Sequence, residues 1–220
     1  SRNRWGAKQF SLPVKKDSVY QVVVECYQTD GNAAIRFTSG HYQKTDFAAL
    51  QKRVQDADVI LFAGGISPQL EGEEMPVNYP GFKGGDRTDI QVQRDCLKAL
   101  KAAGKKVVFV NCSGSAIGLV PETANCDAIL QAWYGGESGG QAVADVLFGD
   151  YNPSGKLPIT FYKDTTQLAD FENYSMKGRT YRFMSNPLFQ FGFGLSYTSF
   201  SIGEAKMDKT TTQPNDYVHI

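Results

Sequence analysis

Three glutamates lie close together on a polar loop that follows an apolar segment. The segment 58–63 has the composition of a buried strand and runs into Gly64-Gly65. The loop then carries Glu71, Glu73 and Glu74 before it reaches Gly84-Gly85-Asp86-Arg87. Open α/β sheets place their ligand sites at the carboxyl ends of strands. A loop rich in carboxylates at that place predicts general acid chemistry.

The elements that must position this loop alternate between apolar strands and amphipathic helices. Strands are predicted at 58–63, 107–111 and 128–133, and helices at 41–56, 89–103 and 141–148. Continuous apolar strands that alternate with helices indicate a parallel sheet covered on both faces. The sequence therefore predicts an α/β fold, with a mostly parallel sheet sandwiched by helices.

The two ends of the chain have a different character. Residues 19–27 and 33–37 are rich in β-branched and aromatic side chains and flank a turn, which predicts a hairpin from the end of a β domain. A turn-rich connector after Asp150 leads to a short predicted strand at 159–161, and the residues after Gly203 resemble the start of another β domain. We expect the chain to be a piece of a longer protein.

Composition excludes several classes of function. The formal net charge of the 220 residues is zero, so no basic surface indicates nucleic acid. No apolar run approaches the ~20 residues of a transmembrane helix. The four cysteines form no CxxC pair and there are two histidines, so we predict neither a metal site nor a cofactor. Buried free thiols are the favoured interpretation of the cysteines.

Several linked motifs occur in the order found in one enzyme family. They are Ala57-Asp58-Val59-Ile60, Gly84-Gly85-Asp86-Arg87, the run 129–140 (ILQAWYGGESGG), the run 144–149 (ADVLFG), the run 152–161 (NPSGKLPITF) and the run 191–197 (FGFGLSY). Together they resemble glycoside hydrolase family 3, which contains β-glucosidases and β-xylosidases. The match covers roughly residues 45 to 203.

The resemblance implies three segments. Residues 1–40 resemble the end of a PA14-like β module, residues 41–203 the α/β sandwich domain of the family, and residues 204–220 the start of a fibronectin type III-like domain. The family's (β/α)8 barrel, which supplies the nucleophilic aspartate and most of the sugar subsite, is absent from this chain. The resemblance therefore implies half of an active site, whose partner is an upstream barrel of the same parent chain.

Retaining glycosidases use a nucleophilic carboxylate and an acid/base carboxylate ~5–5.5 Å apart. In the resembled family a glutamate on a loop of the sandwich domain is the acid/base. Glu71 and Glu73 are the catalytic candidates here, followed by Glu74. A proton donor needs partial burial, and the apolar neighbour Leu70 favours Glu71. The competing interpretation is that two of the three are solvated loop acids.

Other residues near the predicted site have two interpretations each. Asp86 and Arg87 are either a salt-bridged pair beside the bound sugar or a helix-start aspartate with a surface arginine. The glycine-rich run 135–140 lacks the lysine of a phosphate-binding loop, so a tight strand-to-helix turn is favoured. Trp133 and Tyr134 suit the core or an interface better than stacking on sugar.

The sequence is compatible with three functions. The first is the C-terminal part of a retaining, exo-acting β-glucosidase or β-xylosidase whose substrate is a β-linked oligosaccharide or glycoside and whose location is periplasmic or extracellular. The second is a carbohydrate-binding module without turnover. The third, a flavodoxin-like nucleotide-binding domain, lacks a phosphate motif. The chain alone, without the nucleophile, is expected to be inactive.

Overall fold

The structure is a computed structural model with two compact units, Ser1–Lys44 and Thr45–Ile220. The residues that the structure describes are 11–25, 27, 31, 35, 37–40, 44–72, 78–79, 82–83 and 90–219.

The described residues of the first unit form no helix or strand, only a turn at 16–17. The hairpin predicted at 19–27 and 33–37 is therefore not observed where those residues are described. Val22 is 59% exposed and its neighbour Val23 is 73% exposed, so neither face of this segment packs on a core. A lone hairpin without a packed face is at best marginally stable, which is the physical reason for the difference.

The second unit is built on a three-stranded sheet whose middle strand is the second of the three in the chain. Its strands are β1 (Val59–Gly65), β4 (Lys106–Cys112) and β5 (Ala128–Gln131). Both pairings are parallel, with Phe62 beside Phe109 and Phe109 beside Ile129. The predicted parallel α/β sheet is confirmed, and each predicted strand lies within a few residues of its expected place.

The strands and helices between β1 and β5 follow the predicted alternation. After α1 (Phe47–Arg53) and β1 come α2 (Pro68–Glu71), a short antiparallel pair of β2 (Asn78–Tyr79) and β3 (Phe82–Lys83), then α3 (Gln91–Ala102) and β4. The helix α4 (Val120–Asn125) precedes β5, and α5 (Gly139–Phe148), a 3-10 turn (Thr165–Gln167) and α6 (Thr180–Phe183) follow it. The helix predicted at 41–56 is shorter than expected because Asp46 caps it through the Ala49 N–H.

The core lies between α3 and the sheet. Leu97 and Leu100 of α3 are buried against Val107 and Phe109 of β4. These side chains recur at the spacing of one helix face and of one strand face, which is the pattern that predicted both elements. On β1 the burial alternates, and Leu61 remains half exposed. Within the described residues, helices therefore cover one face of β1 and not the other.

A buried ion pair ties α3 to α4. The Nε of Arg94 donates to Glu122 Oε1 at 2.8 Å, and Nη2 lies 3.4 Å from Oε2. The Glu122 side chain is fully buried and that of Arg94 is 17% exposed. Nη2 also reaches the Gly118 carbonyl at 3.3 Å. The pair fixes the segment between β4 and α4, which carries part of the site described below.

The strand predicted at 159–161 is reduced to a single antiparallel bridge between Phe161 and Phe189. Phe161 is nevertheless buried, with Trp133 edge-on to its ring at 6.1 Å between centroids and Phe189 at 6.3 Å. The aromatic contacts hold this polar, aromatic-rich segment on the sheet without a continuous ladder.

Candidate functional site

Glu71 ends a single helical turn at the carboxyl end of β1. Ser67 caps this turn by accepting from the Leu70 N–H at 3.3 Å, and Pro68 occupies its first position. Gly72 ends the turn with a left-handed backbone, φ 64°, which suits glycine. Leu70 packs on the core, as the sequence suggested, so the adjacent Glu71 is half-buried at the sheet edge.

Two residues from other strand ends meet the Glu71 carboxylate. The Ser115 hydroxyl donates to Glu71 Oε1 at 3.1 Å, and the Tyr134 hydroxyl lies 3.5 Å from Oε2. Tyr134 also donates to the Ile66 carbonyl at 2.6 Å. Ser115 follows β4 and Tyr134 follows β5, so the carboxyl ends of all three parallel strands contribute. This is the arrangement expected of a ligand site in an open α/β sheet.

The backbone around Tyr134 is shaped for this contact. Trp133 has φ 56°, an unfavourable value for a large side chain, and it turns the chain back immediately after β5. The Tyr134 ring then lies over Gly114, where an added Cβ would come 2.5 Å from the ring. Strain of this kind persists only where the surroundings enforce it.

The Tyr134 hydroxyl stays protonated at neutral pH. Burial raises the pKa of Tyr134 above its ordinary value, the backbone N–H of Gly114 acts in the opposite direction, and the charge of Glu71 raises the pKa further. The phenol therefore keeps its single proton, which it donates to the Ile66 carbonyl at 2.6 Å, the shorter of its two oxygen contacts.

A polar network lies beneath Ser115. The Ser113 hydroxyl donates to the Ser115 carbonyl at 3.0 Å and accepts from the side-chain amides of Asn111 and Gln131 at 3.1 and 3.2 Å. The amide of Asn111 also donates to Gln131 Oε1 at 2.6 Å. Asn111 and Ser113 are almost completely buried. The Ser113 hydroxyl, with one hydrogen bond donated and two accepted, therefore fixes the backbone from which the Ser115 side chain reaches Glu71.

The two glycines at the end of β1 allow a close packing contact. The Gln93 side-chain amide accepts from the Gly65 N–H at 2.8 Å and donates to its carbonyl at 2.7 Å. A Cβ on Gly64 would overlap the Gln93 amide oxygen, and one on Gly65 would overlap the Cys112 carbonyl. Glycine is thus required sterically where β1 turns into the acidic loop.

Other predicted site residues lie outside the described residues. They are Glu73, Glu74, Asp86 and Arg87. Of the residues predicted to act, the structure therefore places Glu71. No local sequence pattern indicated the contacts of Glu71 with Ser115 and Tyr134. The usable signal was that Ser113-Gly114-Ser115 follows β4 as the acidic loop follows β1.

The glycine-rich run after β5 is the strand-to-helix turn that the sequence favoured. A Cβ on Gly135 would lie 2.9 Å from the Cα of Gly139, the first residue of α5. Trp133 packs against the core and Tyr134 is 44% exposed. The core role predicted for Trp133 is confirmed, while Tyr134 belongs to the site.

Two open grooves are lined by other residues. One, of about 480 Å³, lies between the end of β5 and α5, and the other, of about 440 Å³, lies beside Arg94 and Lys163.

Among the residues that the structure describes, there is no cluster of three or more side chains suited to bind a metal. None of the helices in this described part is long and apolar enough to cross a membrane.

The family model of the glycosyl hydrolase family 3 C-terminal domain matches residues 5–197. The chain belongs to glycosyl hydrolase family 3. It is 63% identical over 169 residues to a xylan 1,4-β-xylosidase of Xylanibacter ruminicola, covering 76% of this chain and 20% of that protein. It is 39% identical over 183 residues to a periplasmic β-glucosidase of Salmonella typhimurium, covering 77% of this chain and 24% of that protein.

Solved structures of β-glucosidases share the fold. The chain matches a β-glucosidase from Erythrobacter marinus at 37% identity with a TM-score of 0.58, covering 74% of this chain and 22% of that one. It matches β-glucosidase 3B from Thermotoga neapolitana at 25% identity with a TM-score of 0.59, covering 76% and 25%. The chain therefore spans about a quarter or less of these relatives.

Proposed function

We propose that this chain supplies the acid/base carboxylate of a retaining, exo-acting β-glucosidase or β-xylosidase. The observation that carries the proposal is the Glu71 carboxylate, held at the carboxyl edge of the parallel sheet by Ser115 and Tyr134. Relatives named β-xylosidase and β-glucosidase support the substrate class, a β-linked glycoside.

The reaction needs two carboxylates with different tasks. In the first step, the acid protonates the glycosidic oxygen while the nucleophile attacks the anomeric carbon. In the second, the same group, now a base, removes a proton from the water that releases the sugar. We assign the acid/base role to this chain, with Glu71 and Glu73 as candidates. The nucleophile is assigned to a barrel elsewhere in the parent.

Asp86 and Arg87 are proposed to bind the substrate beside the acid/base. They precede α3, whose Gln93 holds the end of β1, so the two ends of the acidic loop are anchored to neighbouring elements. The segments 1–40 and 204–220 remain predictions of a PA14-like module and a fibronectin type III-like domain.

A parent located in the periplasm or outside the cell is also proposed. A 39% identical relative is named a periplasmic β-glucosidase, which supports the first of these locations. Fractionation of cells that produce the parent tests this, because activity confined to the cytoplasm would contradict it.

Single substitutions in the parent test the acid/base assignment. Glu71→Gln should slow hydrolysis of a glycoside with a poor leaving group by roughly 10²–10⁴-fold, because such a substrate needs proton donation. An activated aryl glycoside should form the glycosyl-enzyme with little loss, and azide should restore its turnover. Glu73→Gln is the matched control on the same loop.

The result assigns the role. If Glu73→Gln shows this pattern and Glu71→Gln does not, Glu73 is the acid/base. If neither variant shows it, the acid/base is not on this loop and the proposal is wrong. Binding of oligosaccharide by the parent without any turnover would instead indicate a carbohydrate-binding protein.

A further inference from the structure

Ser115 and Tyr134 stand out because they reach one carboxylate from two separate strand ends. Ser115 lies 44 residues from Glu71 in sequence and Tyr134 lies 63 residues away. Only the parallel sheet brings them together. A solvated loop acid would have no such partners, so the contacts indicate a carboxylate with a fixed orientation.

We infer that Ser115 and Tyr134 are positioning residues that hold the Glu71 carboxylate toward the substrate side of the sheet edge. The inference rests on the proposed function, in which Glu71 is the acid/base. Ser115 holds Oε1 by a hydrogen bond of 3.1 Å. The Tyr134 hydroxyl, 3.5 Å from Oε2, limits rotation of the carboxylate but holds Oε2 less firmly. Oε2 is therefore the oxygen that would carry the transferred proton.

The two residues are held by different hydrogen bonds, and they meet at Gly114, which precedes Ser115 and lies under the Tyr134 ring. Ser115 is held from below by the Ser113 hydroxyl, which donates to its carbonyl. Tyr134 is held by the Ile66 carbonyl at 2.6 Å and by the positive φ of Trp133. Removal of either hydroxyl should therefore loosen the carboxylate without displacing the other support.

Gly114 provides a way to disturb Tyr134 without removing a hydrogen-bonding group. An added Cβ would come 2.5 Å from Tyr134 Cε2 and 3.1 Å from Cζ, so the ring must move. Gly114→Ala should therefore reproduce the effect of Tyr134→Phe if the position of the ring matters, although the phenol is still present.

The test measures leaving-group dependence in the full parent enzyme. The readout is the ratio of kcat/KM for an alkyl glycoside to kcat/KM for a dinitrophenyl glycoside of the same sugar. Loss of proton donation lowers this ratio, whereas partial unfolding lowers both values equally and leaves the ratio unchanged. A variant that folds poorly is therefore still informative through its active fraction.

Ser115→Ala should lower the ratio by roughly tenfold, which is the size of one lost hydrogen bond to a charged group. Ser115→Thr, which keeps the hydroxyl, should restore the ratio to within about twofold of the parent, since the donor is retained. Tyr134→Phe and Gly114→Ala should lower it by roughly threefold to tenfold, because the 3.5 Å contact is weaker.

Tyr151→Phe and Ser201→Ala are the matched controls. Both side chains are exposed, and within the described residues neither hydroxyl makes a hydrogen bond. Both variants should leave the ratio unchanged, which would attribute the effects to the Glu71 contacts.

Failure of the inference and failure of the proposed function give different results. If Glu71→Gln lowers the ratio strongly while Ser115→Ala, Tyr134→Phe and Gly114→Ala leave it unchanged, the positioning role is wrong and the acid/base assignment stands. If Glu71→Gln leaves the ratio unchanged, the catalytic role of Glu71 fails, and the inference fails with it.

Discussion

Replacement of Arg94 by Met is expected to destabilise the second unit strongly, because it removes the partner of a fully buried carboxylate. Glu122 is buried completely, and Arg94 donates to it at 2.8 and 3.4 Å. Loss of one member of a buried ion pair costs about 3–5 kcal/mol. Domains have total stabilities of about 5–15 kcal/mol, so this is a large fraction.

Equilibrium urea unfolding of the 220-residue chain measures this cost. With Trp5 replaced by Phe in every variant, fluorescence comes from Trp133 and reports on the core, because its ring packs on Phe161. With a urea slope of about 2 kcal/mol per molar, the midpoint should fall by about 2 M. Arg94→Met/Glu122→Leu should recover part of the loss, because two apolar side chains leave no buried charge.

Lys101→Met provides the matched control. Lys101 pairs with Asp127 at the same 2.8 Å, but both side chains are more than a third exposed. An exposed pair contributes about 0–1 kcal/mol, so the midpoint should move little. Equal shifts for Arg94→Met and Lys101→Met would refute the argument that burial decides the cost.

Three further outcomes follow from other contacts. The pKa of Asp127 is lowered from its ordinary 3.8, first by the Lys101 hydrogen bond and then by the Val107 N–H. Asp127 therefore contributes stability that is present above pH 3.8 and is lost as the pH falls through the lower folded value. In Asp127→Asn the urea midpoint should therefore fall less between pH 5 and pH 2 than in the unchanged chain. An equal fall in both proteins would contradict this. Burial, followed by the charges of Glu122 and Asp127, raises the pKa of Cys126 to about 11. Iodoacetamide at pH 8 should then modify Cys126 about a hundredfold more slowly than an unperturbed thiol, and mass spectrometry that finds equal rates would refute this. Gly65→Ala should cost more than about 2 kcal/mol, since φ is 128° and the new Cβ would overlap the Cys112 carbonyl. Gly155→Ala, in open space, is its control, and equal urea midpoints for the two variants would show that the overlap is relieved.

The central α/β region could be predicted from local patterns. The apolar segments that became β1, β4 and β5 and the helical spacing of Leu97 and Leu100 are properties of neighbouring residues. The acidic loop after Gly64-Gly65 was located by the rule that ligand sites follow strands. The N-terminal hairpin was not predictable in the same way, because a strand needs a partner and a packed face.

The sequence by itself determined which segments could be strands and helices, and that carboxylates follow the first strand. Only the tertiary structure decided that Glu71 meets Ser115 and Tyr134 and that Arg94 meets Glu122. The physical reason is that parallel pairing brings together strand ends that are far apart along the chain. No local pattern encodes those distances, since they depend on the register and the packing of the whole sheet.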